Sequence, residues 1–159
     1  MPNWVENTIV VVGQKEMLDD FEEHKFNFNH YVPRPPEEEA NWYEWNCNNW
    51  GTKWEVPEDD VSIDRTDDEK ITFNFNTAWS PPLQFLRKLC TIYNKIYIEC
   101  NYIDEGMVDR GIVILIKNNG LIKEKSFTWE QPYNFENIEE IEDTTNEPVN
   151  AEQVINITL

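Results

Sequence analysis

Apolar and polar positions change their period several times along this chain, and each change marks an element. Thr8-Ile9-Val10-Val11-Val12 is a β-branched run ended by Gly13, which predicts a largely buried strand over residues 4–12. Residues 14–25 switch to helical spacing, with Met17, Leu18 and Phe21 on one side and Asp19, Asp20, Glu22 and Glu23 on the other. This predicts an amphipathic helix with an acidic outer face, its apolar stripe serving the core. Residues 26–36 alternate aromatics with asparagine and end on Pro33, Pro35 and Pro36, which forbid a continuing helix and favour an extended connection. A short helix over residues 40–48 would carry Trp42, Tyr43 and Trp45.

Alternation with a period of two returns in residues 61–66 and 71–76, on either side of Asp67-Asp68-Glu69, and signals a hairpin. Ile71, Phe73 and Phe75 are expected to face the core, with Thr72, Asn74 and Asn76 on the opposite side. Ser80-Pro81-Pro82 then opens a second helix, Ser80 as N-cap and proline in the first turn, with Leu86, Leu89, Cys90 and Tyr93 as its buried stripe. Residues 95–103 set Ile96, Ile98 and Cys100 against Tyr97, Glu99 and Asn101, a further strand. The order is βαββαβ, the split arrangement of ferredoxin-like folds. Residues 111–117 and 121–128 flank Asn118-Asn119-Gly120, whose Asn-Gly step readily takes the positive φ of a tight turn. The expected fold is α+β, a ferredoxin-like βαββαβ sheet with two helices on one face, extended by an extra C-terminal β-hairpin.

A chain of 159 residues with 40% hydrophobic content and 21 aromatic residues is enough for one core. The expected division is a domain over residues 1–129, with an acidic insertion at about residues 33–60, and an acidic, partly docked tail over residues 130–159. The net charge of −18 is uneven: residues 71–129 hold five acids against seven bases, whereas residues 130–159 hold eight acids and no base. Such a balance opposes direct nucleic-acid binding, which is driven by Lys and Arg displacing counterions from phosphates. The acids then form either a solvated surface that maintains solubility or a negative patch for a host or viral protein with a basic surface. On the second reading the partner-binding candidates are Glu37, Glu38 and Glu39, together with Glu139, Glu140 and Glu142.

Catalytic and metal signatures are missing from the sequence. It contains no Ser/His/Asp set, nucleophile elbow, P-loop or GxGxxG. Cys47, Cys90 and Cys100 have no CxxC spacing, and His24 and His30 add no metal pattern, so neither a metal nor a cofactor is expected. Asp104-Glu105-Gly106 reads as a turn, because general acid/base work needs two carboxylates held across a cleft. The expectation is a protein that is not an enzyme. No basic leader precedes an apolar run, and no apolar run approaches membrane-spanning length, which points to a soluble protein of the host cytoplasm with no membrane partner.

Two aromatic motifs remain, Trp50-Gly51-Thr52-Lys53-Trp54 and Thr77-Ala78-Trp79-Ser80-Pro81-Pro82. If residues 66 and 70 pair across the hairpin, Pro57 comes near Trp79, and Lys53 and Trp54 lie past the same sheet end. Taking the first and third strands as parallel also brings Gly13 and the start of the first helix there. Two helix N-termini, a lysine and several indoles would then share one rim able to hold a small nucleotide-like anion. Its candidate residues are Trp50, Lys53, Trp54, Trp79 and Ser80. The alternative is structural: the rings pack under the loop while Lys53 lies over an indole.

These two motifs, together with Met1-Pro2-Asn3-Trp4-Val5-Glu6-Asn7-Thr8 and Asp104-Glu105-Gly106, resemble the YubB ferredoxin-like domain family of plasmids, phages and other mobile elements. The resemblance spans roughly residues 1–128. It implies a ferredoxin-like domain of a virus or mobile element and transfers no catalytic residue. Nineteen asparagines, with heavy Ile, Lys and Glu usage, also suit a low-GC viral genome. Three functions follow as expectations: an acidic binding protein that engages a host or defence component, a small-anion binder or sequestering protein using the Trp/Lys rim, and a structural virion component.

Overall fold

A computed structural model describes residues 2–129, and in it six strands form one antiparallel sheet in the order β2-β3-β1-β4-β5-β6. The strands are β1 (Trp4–Val12), β2 (Ser62–Asp67), β3 (Lys70–Ala78), β4 (Ile96–Asp104), β5 (Arg110–Asn118) and β6 (Leu121–Trp129). The helices are α1 (Lys15–Glu23), α2 (Phe28–Tyr31), α3 (Trp42–Asn49) and α4 (Leu83–Ile92). Strands β4-β1-β3-β2 make the ferredoxin-like core, and the β5-β6 hairpin extends its β4 edge as expected. Asn119 and Gly120 both take positive φ, +48° and +84°, and close that hairpin. The tail over residues 130–159 lies outside the described residues. No helix among those described is long and apolar enough to cross a membrane.

Alternation decides which sheet face is covered. Ile71, Phe73 and Phe75 of β3, Ile9 and Val11 of β1, and Ile98 and Cys100 of β4 are buried, whereas Asn74 is only half-buried. Leu18 and Phe21 of α1 and Phe85, Leu86, Leu89 and Cys90 of α4 complete this layer. Its centre is aromatic: Phe26 stacks on Phe73 with centroids 4.4 Å apart, and Phe21 meets Phe26 edge-on at 5.3 Å. Each such pair adds about 0.5–1.5 kcal/mol beyond area burial. On the opposite face Val12 and Tyr97 form a smaller cluster with Val10, Ile114 and Ile116.

Three expectations need correction. Strands β1 and β3 are antiparallel, with Val12 opposite Lys70 and Trp4 opposite Ala78. Gly13 therefore lies at the far end of the sheet, where its N–H donates to Glu69 O, and the start of α1 goes with it. The stretch after Phe26 is not wholly extended, because Asn27 Oδ1 accepts from His30 N at 2.8 Å and caps the single turn of α2. Ser80 is not the N-cap of α4; Pro82 holds that place, and the Ser80 hydroxyl donates to Gly51 O.

Candidate functional site

All four motifs singled out in the sequence meet at one end of the sheet. Asn7 Nδ2 donates to Thr77 Oγ1 at 2.9 Å, Thr77 Oγ1 donates to Ser80 O at 2.8 Å, and Thr52 Oγ1 donates to Ala78 O at 2.9 Å. Glu105 N donates to Trp4 O at 2.8 Å, and Asp104 accepts the Val108 and Asp109 amides to close its turn. The small polar residues of the motifs thus point inward and fasten the loops to one another. Asn7, Thr52 and Thr77 are buried with these donors bonded, while Asn7 Oδ1 meets no partner among the described residues.

Three of the motifs' indoles, and Tyr43 of α3 beside them, turn outward. Trp4, Tyr43, Trp54 and Trp79 are 39%, 44%, 38% and 48% exposed. Trp4 and Trp54 have centroids 6.2 Å apart, and Tyr43 meets Trp79 edge-on at 5.7 Å. Lys53 joins the two pairs, its Nζ lying 4.4 Å from the Trp54 ring and 4.4 Å from the Trp79 ring. Trp79 holds this position at φ +74°, uncommon for so bulky a residue, with its N–H bonded to Asn3 O.

Of the five rim candidates, Lys53, Trp54 and Trp79 come together and Trp50 and Ser80 do not join them. Trp50 is 2% exposed, packs on Phe28 and Trp45, and donates from Nε1 to Val32 O at 2.9 Å. Its carbonyl accepts the Phe85 amide in the first turn of α4, so that amide is already satisfied. With α1 starting at the other end, the expected pair of free helix N-termini is absent from this rim. Trp4 and Tyr43 were not among the candidates; antiparallel pairing of β1 with β3 would have brought Trp4 in.

Beside the rings, over β1 and β3, a groove of about 730 Å3 is lined by Trp4, Glu6, Trp54, Asp60, Asn74 and Asn76 among others. Glu6 and Asp60 are exposed, and Glu58 and Asp59 continue the acidic turn next to Asp60. Glu55 also borders the groove, but its carboxylate is engaged: it accepts the Phe28 and Asn29 amides at 3.0 and 2.6 Å and so fixes α2. Burial raises its pKa above the ordinary carboxylate value, and these amide bonds partly offset the rise.

A second depression of about 540 Å3 shares Trp54 and Glu55 and includes Arg34, Glu39 and Trp42. Glu37, Glu38 and Glu39 stand in a 3-10 turn over Pro36–Asn41, and Glu39 is paired with Arg34 at 2.9 Å. Glu139, Glu140 and Glu142 lie outside the described residues. Cys90 and Cys100 are buried, and burial pushes each thiol up to about 12, far from a reactive thiolate at neutral pH.

Neither the curated proteins nor the solved structures contain a match to this chain. A family model described as "Ferredoxin-like domain in Api92-like protein" matches residues 50–145, more than half of the chain. The match begins at Trp50 and takes in three of the four motifs; the N-terminal one precedes it. The chain therefore belongs to this family of ferredoxin-like domains, found in Api92-like and YubB-like phage-associated proteins.

Proposed function

We propose that the chain is a non-enzymatic binding protein of a phage or related mobile element, which takes a basic segment of a host or viral protein into the acidic, aromatic-rimmed groove. The observation that carries this reading is the juxtaposition of exposed indoles with Glu6 and Asp60 around one concavity. Indole faces attract ammonium and guanidinium groups, and exposed Trp and Tyr are the side chains from which binding hot spots are most often built. Lys53 displays the contact in miniature, a cation held between Trp54, a ring of the groove, and the neighbouring Trp79. The net charge of −18 would steer a cationic partner and repel a polyanion. The groove is large enough for several side chains, and the proposed setting is the host cytoplasm.

The small-anion reading has less support. Lys53 is engaged by rings, the first-turn amide of α4 is capped by Trp50, and the groove's exposed ionised groups are carboxylates. No observation favours a virion role in particular.

Titration with short Lys/Arg-rich peptides, read by tryptophan fluorescence, tests the proposal against acidic peptides and ATP. Binding of the basic peptides alone is expected. It should weaken as salt rises from about 0.05 to 0.5 M, across which the Debye length falls from about 14 to about 4 Å. Glu6→Gln with Asp60→Asn should slow association, and Trp54→Ala should speed dissociation. Preferential binding of ATP, or no response to any basic peptide, would overturn the reading.

A further inference from the structure

A second group of chemistry-bearing side chains lies where α1 turns into α2, outside the lining of the groove. Asp20 lies in the last turns of α1, and His24 is the residue at its C-cap. The chain then reverses through Lys25 and Phe26, both at positive φ, +51° and +55°. Phe26 and Phe28 anchor this reversal in the core. Asn27 and Glu55 cap α2 and fix where it begins, so His30 is carried back over His24. The two imidazoles lie 3.8 Å apart, within 13° of parallel.

We infer that Asp20, His24 and His30 form a binding site for a divalent transition-metal ion of the zinc type. One donor atom from each residue lies within 4.8 Å of the other two. In a tetrahedral zinc site, with bonds near 2.0–2.1 Å, donor atoms stand roughly 3.3–3.4 Å apart, so the set closes when the stacked rings turn out of their parallel arrangement to aim their in-plane lone pairs at one ion. His24 Nδ1 lies 3.2 Å from Asp20 Oδ1 and 3.0 Å from the Asp20 backbone carbonyl; a carbonyl only accepts, so this nitrogen donates in the metal-free chain and sheds its proton to ligate. The second Asp20 oxygen is held by the Tyr31 hydroxyl at 2.9 Å, the outer hydrogen bond that orients a ligating carboxylate. Imidazole and carboxylate are the donor types that suit zinc and its first-row neighbours. The location adds to this, because the carbonyl end of α1 carries the negative pole of the helix. His30 is exposed, so three protein ligands leave a fourth position open to water or to a donor from a partner.

The ion would join α1 to α2 and brace the corner that Glu55 holds from the other side. Sequence reading missed the site because Asp20 and His24 show only a four-residue spacing, and nothing in the residues after them announces the double reversal at Lys25 and Phe26.

The test uses the full chain, freed of metal and titrated with Zn2+ by calorimetry and with Co2+ by visible absorption. One equivalent of Zn2+ should bind, Co2+ should give the intense bands of a four-coordinate ion, and Zn2+ should raise the melting temperature. His30→Ala keeps the α2 cap, which uses the backbone, and should abolish all three responses; His24→Ala should do the same. Tyr31→Phe keeps the ring packing and should weaken Zn2+ binding about tenfold or more. Joint replacement of Glu37, Glu38 and Glu39 by Gln should leave binding unchanged, separating the site from diffuse attraction to an acidic surface. Wild-type behaviour in metal-free, folded His30→Ala and His24→Ala, or no bound equivalent in the wild-type chain, would overturn the assignment.

Discussion

Lys53→Met separates the structural and ligand-binding uses of the rim in one substitution. Methionine keeps the unbranched stem and removes the ammonium that sits 4.4 Å from both Trp54 and Trp79. Exposed cation–π contacts are worth about 0.5–1 kcal/mol each, and rings 38% and 48% exposed belong at the low end of that range. Two contacts give about 1–1.5 kcal/mol, of which the thioether returns roughly 0.5 through sulfur–aromatic contact. The expected net loss is therefore about 0.5–1 kcal/mol, read as a lower urea midpoint at unchanged m-value, or a fall in Tm of about 2–3 °C for a chain of this size. The same variant sorts the occupants of the groove. Removing a positive charge beside an acidic groove should leave basic-peptide binding unchanged or tighter, whereas an anion held by Lys53 would bind more weakly. Stability equal to wild type would refute the cation–π bridge, and weakened basic-peptide binding would refute the proposed polarity of the groove.

Two further perturbations test the frame around the site. At Gly51, φ is +85° and an added Cβ would lie 3.1–3.3 Å from the backbone of Gln84, Leu83 and Pro81, while Gly120 at φ +84° has open space; alanine at residue 51 should cost well above the roughly 1–2 kcal/mol of left-handed strain expected at residue 120, measured by urea unfolding. The Arg87 guanidinium bonds both Glu124 oxygens, at 2.8 and 2.6 Å, and this hydrogen bonding holds the Glu124 pKa below its ordinary value. The pair's stability is thus present above the unfolded carboxyl value near 4.5 and is lost as pH falls through the lower folded value. Both partners are about one-third exposed, so a double-mutant cycle of Arg87→Gln and Glu124→Gln should give about 0.5 kcal/mol of coupling at pH 7 and none at strongly acid pH.

The fold was legible because its elements depend on local periodicity. Alternation in β3 and β4 and the Asn119-Gly120 turn each specify one backbone geometry, and the structure follows them. The rim was legible only in part, because a motif does not say which of its residues face inward. Trp50 is apolar enough to be core and has an N–H that Val32 O can accept, so it is buried, while Trp54 four residues later is exposed. Ser80 has the chemistry of a helix cap, yet its hydroxyl donates instead to the carbonyl of Gly51, brought within reach by the left-handed bend.

Strand direction had the largest effect on the functional reading. In a βαββαβ sheet with β1 between β3 and β4, both neighbours run against it, so the end of the sheet that holds the start of β1 also holds the end of β3 and the end of β4. A parallel β1-β3 pair would have supplied the rim with the Gly13 turn and the N-terminal amides of α1, which suit an anion. The antiparallel pair supplies Trp4 and Glu6 instead, an exposed ring and a carboxylate, which suit a cation. The polarity of the groove is thus a consequence of topology as much as of composition, and α1, which starts at the far end of the sheet, leads into a corner whose Asn27 and Asn29 share the second depression with Trp54 and Glu55. Occupying that corner with metal should brace α2 and, through the Glu55 carboxylate, the loop that carries Lys53 and Trp54.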